Sequence, residues 1–228
     1  MLDALEADEP DPVPSLPTAT PDLSYNRESQ MRTRVHLLCC LLLASAALAA
    51  KDAPHLGKTL AQWQSDLAST DRLDRLIAAR SIGEMAIANQ PAAAKAIFAA
   101  ISHDDSAVRY WAVVAAGQMG SRAKPATRLL QGALSDDAPE VQAWAAFALV
   151  KLGREGDAIP VLAKLLDHPD RAARLQAIHA LGALGPAAAG ATEAVKQVLD
   201  DEFDYVQRVA RHTLWTLGER PCPYRECQ

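Results

Sequence analysis

Apolar residues between positions 59 and 218 follow a helical period, and the same pattern returns every 32 to 34 residues. Five segments align when Asp74, Val108, Val141, Ala173 and Val206 are each numbered position 1. In every copy position 5 is alanine, position 8 is small, and position 12 is leucine or methionine. Positions 1, 5, 8, 9 and 12 share one face of a 3.6-residue helix, so each copy predicts an amphipathic helix, called helix B.

Start and stop signals flank each predicted helix B. Position 13 is glycine in the last four copies, where a left-handed residue would end the helix: Gly120, Gly153, Gly185 and Gly218. An aspartate-rich turn precedes helix B, and a shorter apolar run before that turn predicts a helix A. Pro91, Pro125 and Pro186 stand where a new helix A should begin, which suits the fixed φ of proline.

These units resemble the HEAT repeat family, in particular short bacterial HEAT-like repeats similar to those of phycobilisome lyases. The resemblance is carried by the runs at 104–120, 136–153 and 167–185. It implies an all-α protein, a right-handed α-solenoid of about five helix pairs that binds protein partners. The repeats are expected at 59–88, 89–120, 121–153, 154–185 and 186–218. Arg211 takes an otherwise apolar position 6 in the fifth copy, as a terminal repeat requires.

The first 49 residues predict no part of this array. Residues 1–30 hold five prolines and seven acids without periodicity, so we expect a disordered extension. Residues 31–49 have the layout of a signal peptide, with two arginines, an apolar run and Ala47-Leu48-Ala49 as a cleavage site. The run at 37–50 is short for a membrane span, and a buried core helix is the alternative. The hypothesis is that translation starts at Met31.

A cleaved signal peptide predicts a periplasmic or secreted protein with no membrane span after cleavage. A linker at 50–58 would then lead into the repeats, and a tail at 219–228 would follow them. Cys222 and Cys227 in that tail are expected to form a disulfide, with free thiols as the alternative. A structural zinc site would need two further ligands.

Charge argues against a nucleic-acid partner. The net charge of −5 is concentrated in residues 1–30, which hold seven acids and one base. Residues 50–228 hold 20 bases and 21 acids, so the predicted solenoid is nearly neutral and shows no basic stripe.

Positions 3, 7 and 10 of helix B should point away from the core, and many of them are apolar or aromatic. Apolar outward surface with aromatic residues and arginine is typical of a protein interface, expected here on the concave side of the solenoid. A tightly curved solenoid or the C-terminal tail could instead cover this face. The partner-binding candidates are Tyr110, Val114, Phe147, Val150, Leu175, His179, Arg208, His212 and Trp215.

Several other residues have a structural and a functional interpretation. The paired aspartates suit helix N-caps, and a cation row of His103, Asp136, Asp137 and His168 is the sharper alternative. Trp111 and Trp144 favour packing over ligand stacking, and His179 with His212 lacks a third metal ligand. The resemblance implies that one column bonds the neighbouring acidic turn: Arg75, Arg109, Arg174, Gln142 and Gln207.

Motifs for catalysis are missing from the sequence. It has no glycine-rich phosphate loop, no Gly-x-Ser-x-Gly and no His-Glu pair. We therefore expect a scaffold or adaptor that binds a protein partner, without catalytic residues, cofactor or metal. The alternative is an accessory or lyase-like protein that binds a chromophore or a metal.

Overall fold

A computed structural model describes residues 54–219, and within them it contains helices and no β-strand of a sheet. The α-helices in chain order are α1 (Leu60–Leu67), α2 (Arg72–Ile87), α3 (Pro91–Ala99), α4 (Ser106–Met119), α5 (Thr127–Ala133), α6 (Pro139–Val150), α7 (Glu155–Leu165), α8 (Arg171–Leu184), α9 (Thr192–Gln197) and α10 (Asp204–Thr216). Short 3₁₀ segments lie at Ala100–Ser102, Gly120–Ala126, Gly185–Ala191 and Val198–Asp200.

The helices form five consecutive pairs, as the 33-residue pattern predicts. Odd-numbered helices are the A helices and even-numbered helices are the B helices. Each B helix packs against the A helix of its own repeat and against the B helices of the repeats before and after it. The prediction of an all-α solenoid is confirmed.

Glycine ends the helices of the last four repeats, as predicted. Gly120, Gly153, Gly185 and Gly218 have φ angles of 55°, 77°, 57° and 103°, which L side chains rarely adopt. The first repeat has Ala86 at the same position, and α2 continues past it to Ile87. Asn89 then takes the left-handed conformation at φ 71°, because asparagine tolerates it better than other residues with a side chain.

The proline signals are correct for one A helix and early for two. Pro91 is the first residue of α3. Pro125 and Pro186 lie inside the 3₁₀ segments that precede α5 and α9, which begin at Thr127 and Thr192. A 3₁₀ turn accepts the φ of proline as readily as the first turn of an α-helix does, so proline alone does not separate the two.

The core is built from the predicted small-residue column. The alanines at position 5 are all 0% exposed: Ala78, Ala112, Ala145, Ala177 and Ala210. Their small volume lets the helices approach closely, and larger apolar residues such as Leu149 and Leu181 fill the space between pairs.

Successive B helices also contact each other through position 10. A Cβ atom added to Gly117 of α4 would lie 2.7 Å from the Phe147 ring of α6. The bare backbone at Gly117 therefore seats the ring, and Phe147 is buried between the two helices. A Cβ on Gly83 would similarly lie 3.1 Å from Ala115 of the next repeat.

An arginine at position 2 joins the turn of one repeat to the turn of the next. Arg109 donates from Nη1 to the carbonyl oxygens of His103 and Asp104 in its own turn, at 2.9 and 3.0 Å. The same guanidinium donates from Nε and Nη2 to both carboxylate oxygens of Asp136 in the following turn, at 2.7 Å each. The bond to the neighbouring acidic turn, implied by the family resemblance, is confirmed for the three arginines and is wrong for Gln142 and Gln207.

Two other arginines repeat this bridge. Arg75 bonds the carbonyl oxygens of its own turn and reaches Asp105 at 2.7 Å, and Arg174 does the same and reaches Asp201 at 2.7 Å. Burial alone would raise the pKa of the Asp201 carboxyl. The hydrogen bonds from Arg174 and the Phe203 N–H, with the charge of Arg174, outweigh burial and hold that pKa below its ordinary value of 3.8.

The junction between repeats 3 and 4 has no such bridge among the residues that the structure describes. Position 2 is glutamine in repeats 3 and 5, and Gln142 and Gln207 each donate to a carbonyl oxygen of their own turn, Asp136 and Asp201. Asp170, in the turn after Gln142, caps α8 through the Ala172 N–H but makes no ion pair within residues 54–219. A hydrogen bond of 2.8 Å from Trp144 Nε1 to Gln176 Oε1 spans this junction instead.

Replacing Gln142 with arginine should supply the missing bridge, since Asp170 has the place in its turn that Asp105 has before α4. We expect Gln142→Arg to raise the free energy of unfolding by about 1 kcal/mol, measured by urea denaturation. Gln207→Arg is the matched control: the charge change is the same, but no described turn follows the fifth repeat. Equal stabilisation by both variants would contradict the assignment of the bridge.

Removing Arg174 should leave a buried carboxylate without its cation. Arg174→Met is expected to lower the free energy of unfolding at pH 7 by about 3–5 kcal/mol. Because the pKa of Asp201 is depressed in the folded protein, the stability that the pair contributes is present at pH 7. It is lost as the pH falls below about 4 and passes the folded-state pKa. The difference between wild type and Arg174→Met in urea midpoints should therefore shrink between pH 7 and pH 3.5; a constant difference would be evidence against the pair.

Candidate functional site

The B helices present one surface that the A helices do not cover. We call it the B-helix face and define it by the exposed or half-buried side chains at positions 3, 4, 7 and 11 of these helices. Its apolar and aromatic members include Ile77, Tyr110, Trp111, Trp144 and Leu175. Its exposed cations include Arg80, Lys151 and Arg208.

Six of the nine predicted partner-binding residues are at least partly accessible. His179 and Arg208 are exposed, as is Trp215, at 41%. Tyr110, Leu175 and His212 are half-buried. For these six residues the structure agrees with the expectation that the side chain is accessible. Their role in binding stays a prediction.

The other three are buried, so their expected exposure is wrong. Val114, Phe147 and Val150 are 8%, 8% and 4% exposed. Positions 7 and 10 flank the contact between successive B helices, as the Phe147 ring over Gly117 demonstrates. A helical projection identifies one buried direction, whereas a B helix in a stack packs on its own A helix and on two neighbouring B helices.

Position 4 carries side chains of the face that the sequence analysis assigned to packing. Trp111 and Trp144 are half-buried, so they pack against the core and also reach the surface. The Arg80 guanidinium lies 5.5 Å from the Trp111 ring centroid, and the Trp144 and Phe147 rings are 5.2 Å apart. Tryptophan at position 4 in two consecutive repeats is the sequence signal that could have identified these residues as part of the face.

A second aromatic group lies on repeats 4 and 5. The His179 and Tyr205 rings meet edge to face at 6.3 Å, and the Arg208 guanidinium lies 5.3 Å from the Tyr205 ring. His212 and Trp215 have centroids 5.7 Å apart. Although the residue is exposed overall, partial desolvation of its ring lowers the pKa of His179, which favours the neutral imidazole at pH 7. Tyr205, exposed on the surface, was not predicted.

The turn residues serve the fold. Asp105 and Asp170 cap α4 and α8 through their side chains, which confirms the N-cap interpretation for these two turns. It is wrong for α6 and α10, whose N-caps Ala138 and Phe203 make no side-chain cap, because Asp136 and Asp201 bind the arginine of the preceding repeat instead. His103 and His168 accept hydrogen bonds on Nδ1 from the N–H groups of these same aspartates, at 3.0 Å each. Within residues 54–219 no group of three or more histidine, cysteine or acidic side chains is placed to hold a metal ion.

A small cavity opens on the B-helix face between α2 and α4. Its volume is about 130 Å³. Gly83, Val114 and Ala115 line it from both helices, together with Ile87 and the Trp111 ring. Arg80, Glu84 and Gln118 complete the lining.

Several predictions fall outside the described residues. These are the extension at 1–30, the signal peptide at 31–49 and the Cys222–Cys227 pair. Among the helices of residues 54–219, none has the length and apolar character needed to cross a bilayer.

The fold and the repeat pattern agree with comparisons against known proteins. A family model for HEAT repeats matches residues 60–132 and 126–215, so the chain belongs to the HEAT repeat family. It is similar to the structure of the complex of CpcE and CpcF of phycocyanin lyase from Nostoc sp. PCC7120. That likeness has 26% identity and a TM-score of 0.55, and it covers 75% of this chain and 68% of that one.

An engineered protein from the Northeast Structural Genomics Consortium shares the fold, at 23% identity and a TM-score of 0.51. The match covers 69% of this chain and 78% of that one. No curated protein sequence matches the chain.

Stability measurements should separate buried side chains from those of the face. We expect Phe147→Ala to lower the free energy of unfolding by about 3–5 kcal/mol, because the ring leaves a void between α4 and α6. Ile77→Ala removes a 43% exposed side chain and should cost less than about 1 kcal/mol. Urea denaturation of both variants tests this, and equal losses would contradict the assignment of burial.

Proposed function

We propose that this chain is an exported adaptor or assembly factor that holds a protein partner on the B-helix face, without catalysis. The proposal rests on one observation: aromatic and aliphatic side chains reach the surface beside cations across successive B helices. Tryptophan, tyrosine and arginine are the residues that most often dominate binding energy at protein interfaces. We expect this face to be the concave side of the solenoid, the usual binding surface of such arrays.

The A helices offer less to a partner. Their exposed side chains are mainly polar or alanine, such as Gln64, Lys95, Arg128 and Lys164. Leu129, at 39% exposed, is a single large apolar residue among them. Isolated apolar residues of this kind are normal on protein surfaces, whereas a set shared by consecutive repeats favours an interface.

Export is the second part of the proposal and rests on the pattern at 31–49. Two arginines, an apolar run and a small-x-small site are the parts of a cleaved signal peptide. Sequencing the N-terminus of the native protein tests it: a mature chain that starts near Ala50 supports export to the periplasm or beyond. A mature chain that starts upstream of Met31 contradicts it.

Negative charge introduced on the B-helix face should weaken binding while the fold persists. We expect the double variant Ile77→Asp, Lys151→Glu to weaken binding of the partner at least tenfold, because both side chains lie on the proposed interface. The partner is first identified by photo-crosslinking from a benzoylphenylalanine placed at Lys151. Affinity is then measured with the purified pair.

The matched control is Leu129→Asp, Arg128→Glu, an apolar and a basic residue exposed on an A helix, with the same change of net charge. This variant should keep the affinity of the wild type and the same circular dichroism. Loss of binding in the control, or retention in the B-helix variant, would overturn the choice of face.

A second candidate function has one observation in its favour. The likeness to a phycocyanin lyase complex, at 26% identity, suggests an accessory or lyase-like protein that binds a chromophore or metal. The absorbance spectrum and metal content of the native protein separate the candidates. A visible band that persists after denaturation and desalting would favour the lyase-like role.

A further inference from the structure

The cavity between α2 and α4 has a counterpart one repeat further along the chain. Position 10 is glycine in both repeats, Gly83 on α2 and Gly117 on α4. Position 7 of the following repeat is Val114 in the first case and Phe147 in the second. Both junctions therefore have a glycine at position 10, but they differ in the side chain of the next repeat that faces it.

At the second junction the protein's own Phe147 side chain fills the space over the glycine. The Phe147 ring lies so close to Gly117 that a Cβ there would be 2.7 Å from its Cδ1 atom and 3.0 Å from its Cε1 atom. At the first junction Ala115 lies against Gly83, and the shorter Val114 side chain leaves a cavity of about 130 Å³ beside them. The second junction thus shows that a phenyl ring packs well against a glycine at position 10.

The size and lining of the cavity agree with this comparison. An apolar cavity of about 150 Å³ is large enough to bind benzene, so about 130 Å³ suits one aromatic ring that stays partly open to solvent. The Trp111 ring forms part of the wall, and aromatic rings attract one another in edge-to-face or offset contact.

The mouth of the cavity adds a charge requirement. Arg80 is 63% exposed, and its Nε donates to Glu84 at 3.0 Å. In the described part of the chain no hydrogen bond engages its Nη1 or Nη2. Glu84 already pairs with one edge of this guanidinium, so a carboxylate beside the ring that enters would be bound by the Nη1 and Nη2 N–H groups.

We propose that this cavity binds a phenylalanine side chain of the partner polypeptide, with an adjacent acidic residue paired to Arg80. The inference rests on the proposed function, since it supplies the anchor by which a partner would be held on the B-helix face. The anchor belongs to repeats 1 and 2, where the equivalent of the Phe147 ring is missing.

Two dipeptides test the proposal directly. Acetyl-Phe-Glu-amide and acetyl-Ala-Glu-amide are titrated into the full chain, and binding is followed by amide shifts in NMR spectra. We expect the phenylalanine peptide to bind at least tenfold more tightly, with the largest shifts at Gly83, Ile87 and Trp111. Equal shifts with both peptides, or no binding by the phenylalanine peptide, overturn the proposal.

A variant that fills the cavity from within provides the second test. Val114→Phe copies the arrangement at Phe147 and should reduce affinity for acetyl-Phe-Glu-amide at least tenfold without lowering the melting temperature. Val114→Leu takes its place if the larger ring prevents folding, and a reduced affinity is again expected. Unchanged affinity in a folded cavity-filling variant overturns the proposal.

Arg80→Gln tests separately whether Arg80 pairs with the acidic residue beside the phenylalanine of the peptide. It should weaken binding of acetyl-Phe-Glu-amide at least threefold and leave binding of acetyl-Phe-Gln-amide unchanged. Equal effects on both peptides overturn the carboxylate assignment.

Failure of the phenylalanine-binding proposal can be distinguished from failure of the adaptor role. If Val114→Phe still binds the crosslinked partner with wild-type affinity, the cavity is not the anchor and the adaptor role stands. If no partner crosslinks to the B-helix face, the adaptor role fails independently of the peptides.

Discussion

The close approach of successive B helices determines the core packing, the contacts between turns and the exposed surface of the array. One helix pair cannot cover its own apolar stripe, so each repeat must be covered by the next. The fully buried alanines at position 5 and the glycines at position 10 make that approach possible. Once the helices are this near, their turns align along one edge, and a guanidinium can reach from one turn into the following carboxylate.

The sequence is sufficient for the parts of the fold that are set within one repeat. Glycine at position 13 and aspartate at the N-cap act through local backbone geometry, so their pattern predicts their role, whereas the bridge from arginine at position 2 to the next turn was implied only by the family resemblance. Asn89 shows the limit of this reasoning: its left-handed conformation replaces the missing glycine three residues after Ala86. The family resemblance adds the order in which the pairs stack.

The candidate site is less predictable because exposure depends on contacts between repeats. Val114 and Val150 look outward on a single helix, yet the neighbouring B helices bury them. Trp111 looks like core on the same projection but reaches the surface beside Arg80. These outcomes follow from the side chains at positions 7 and 10 of the next repeat, and the period of one helix contains no information about them.

The arginine bridges also divide the array. His103, Arg109, Gly120 and Asp136 each recur 65 residues later, as His168, Arg174, Gly185 and Asp201. Repeats 2 and 3 thus correspond to repeats 4 and 5, and the Arg75–Asp105 bridge adds repeat 1 to the first group, so the unbridged junction separates repeats 1 to 3 from repeats 4 and 5. The contact between repeats 3 and 4 therefore depends on helix packing and on the neutral hydrogen bond from Trp144 to Gln176, whereas the other three junctions also carry an ion pair. Acid consequently acts unevenly along the array: protonation of the turn carboxylates weakens three junctions and leaves this one unchanged.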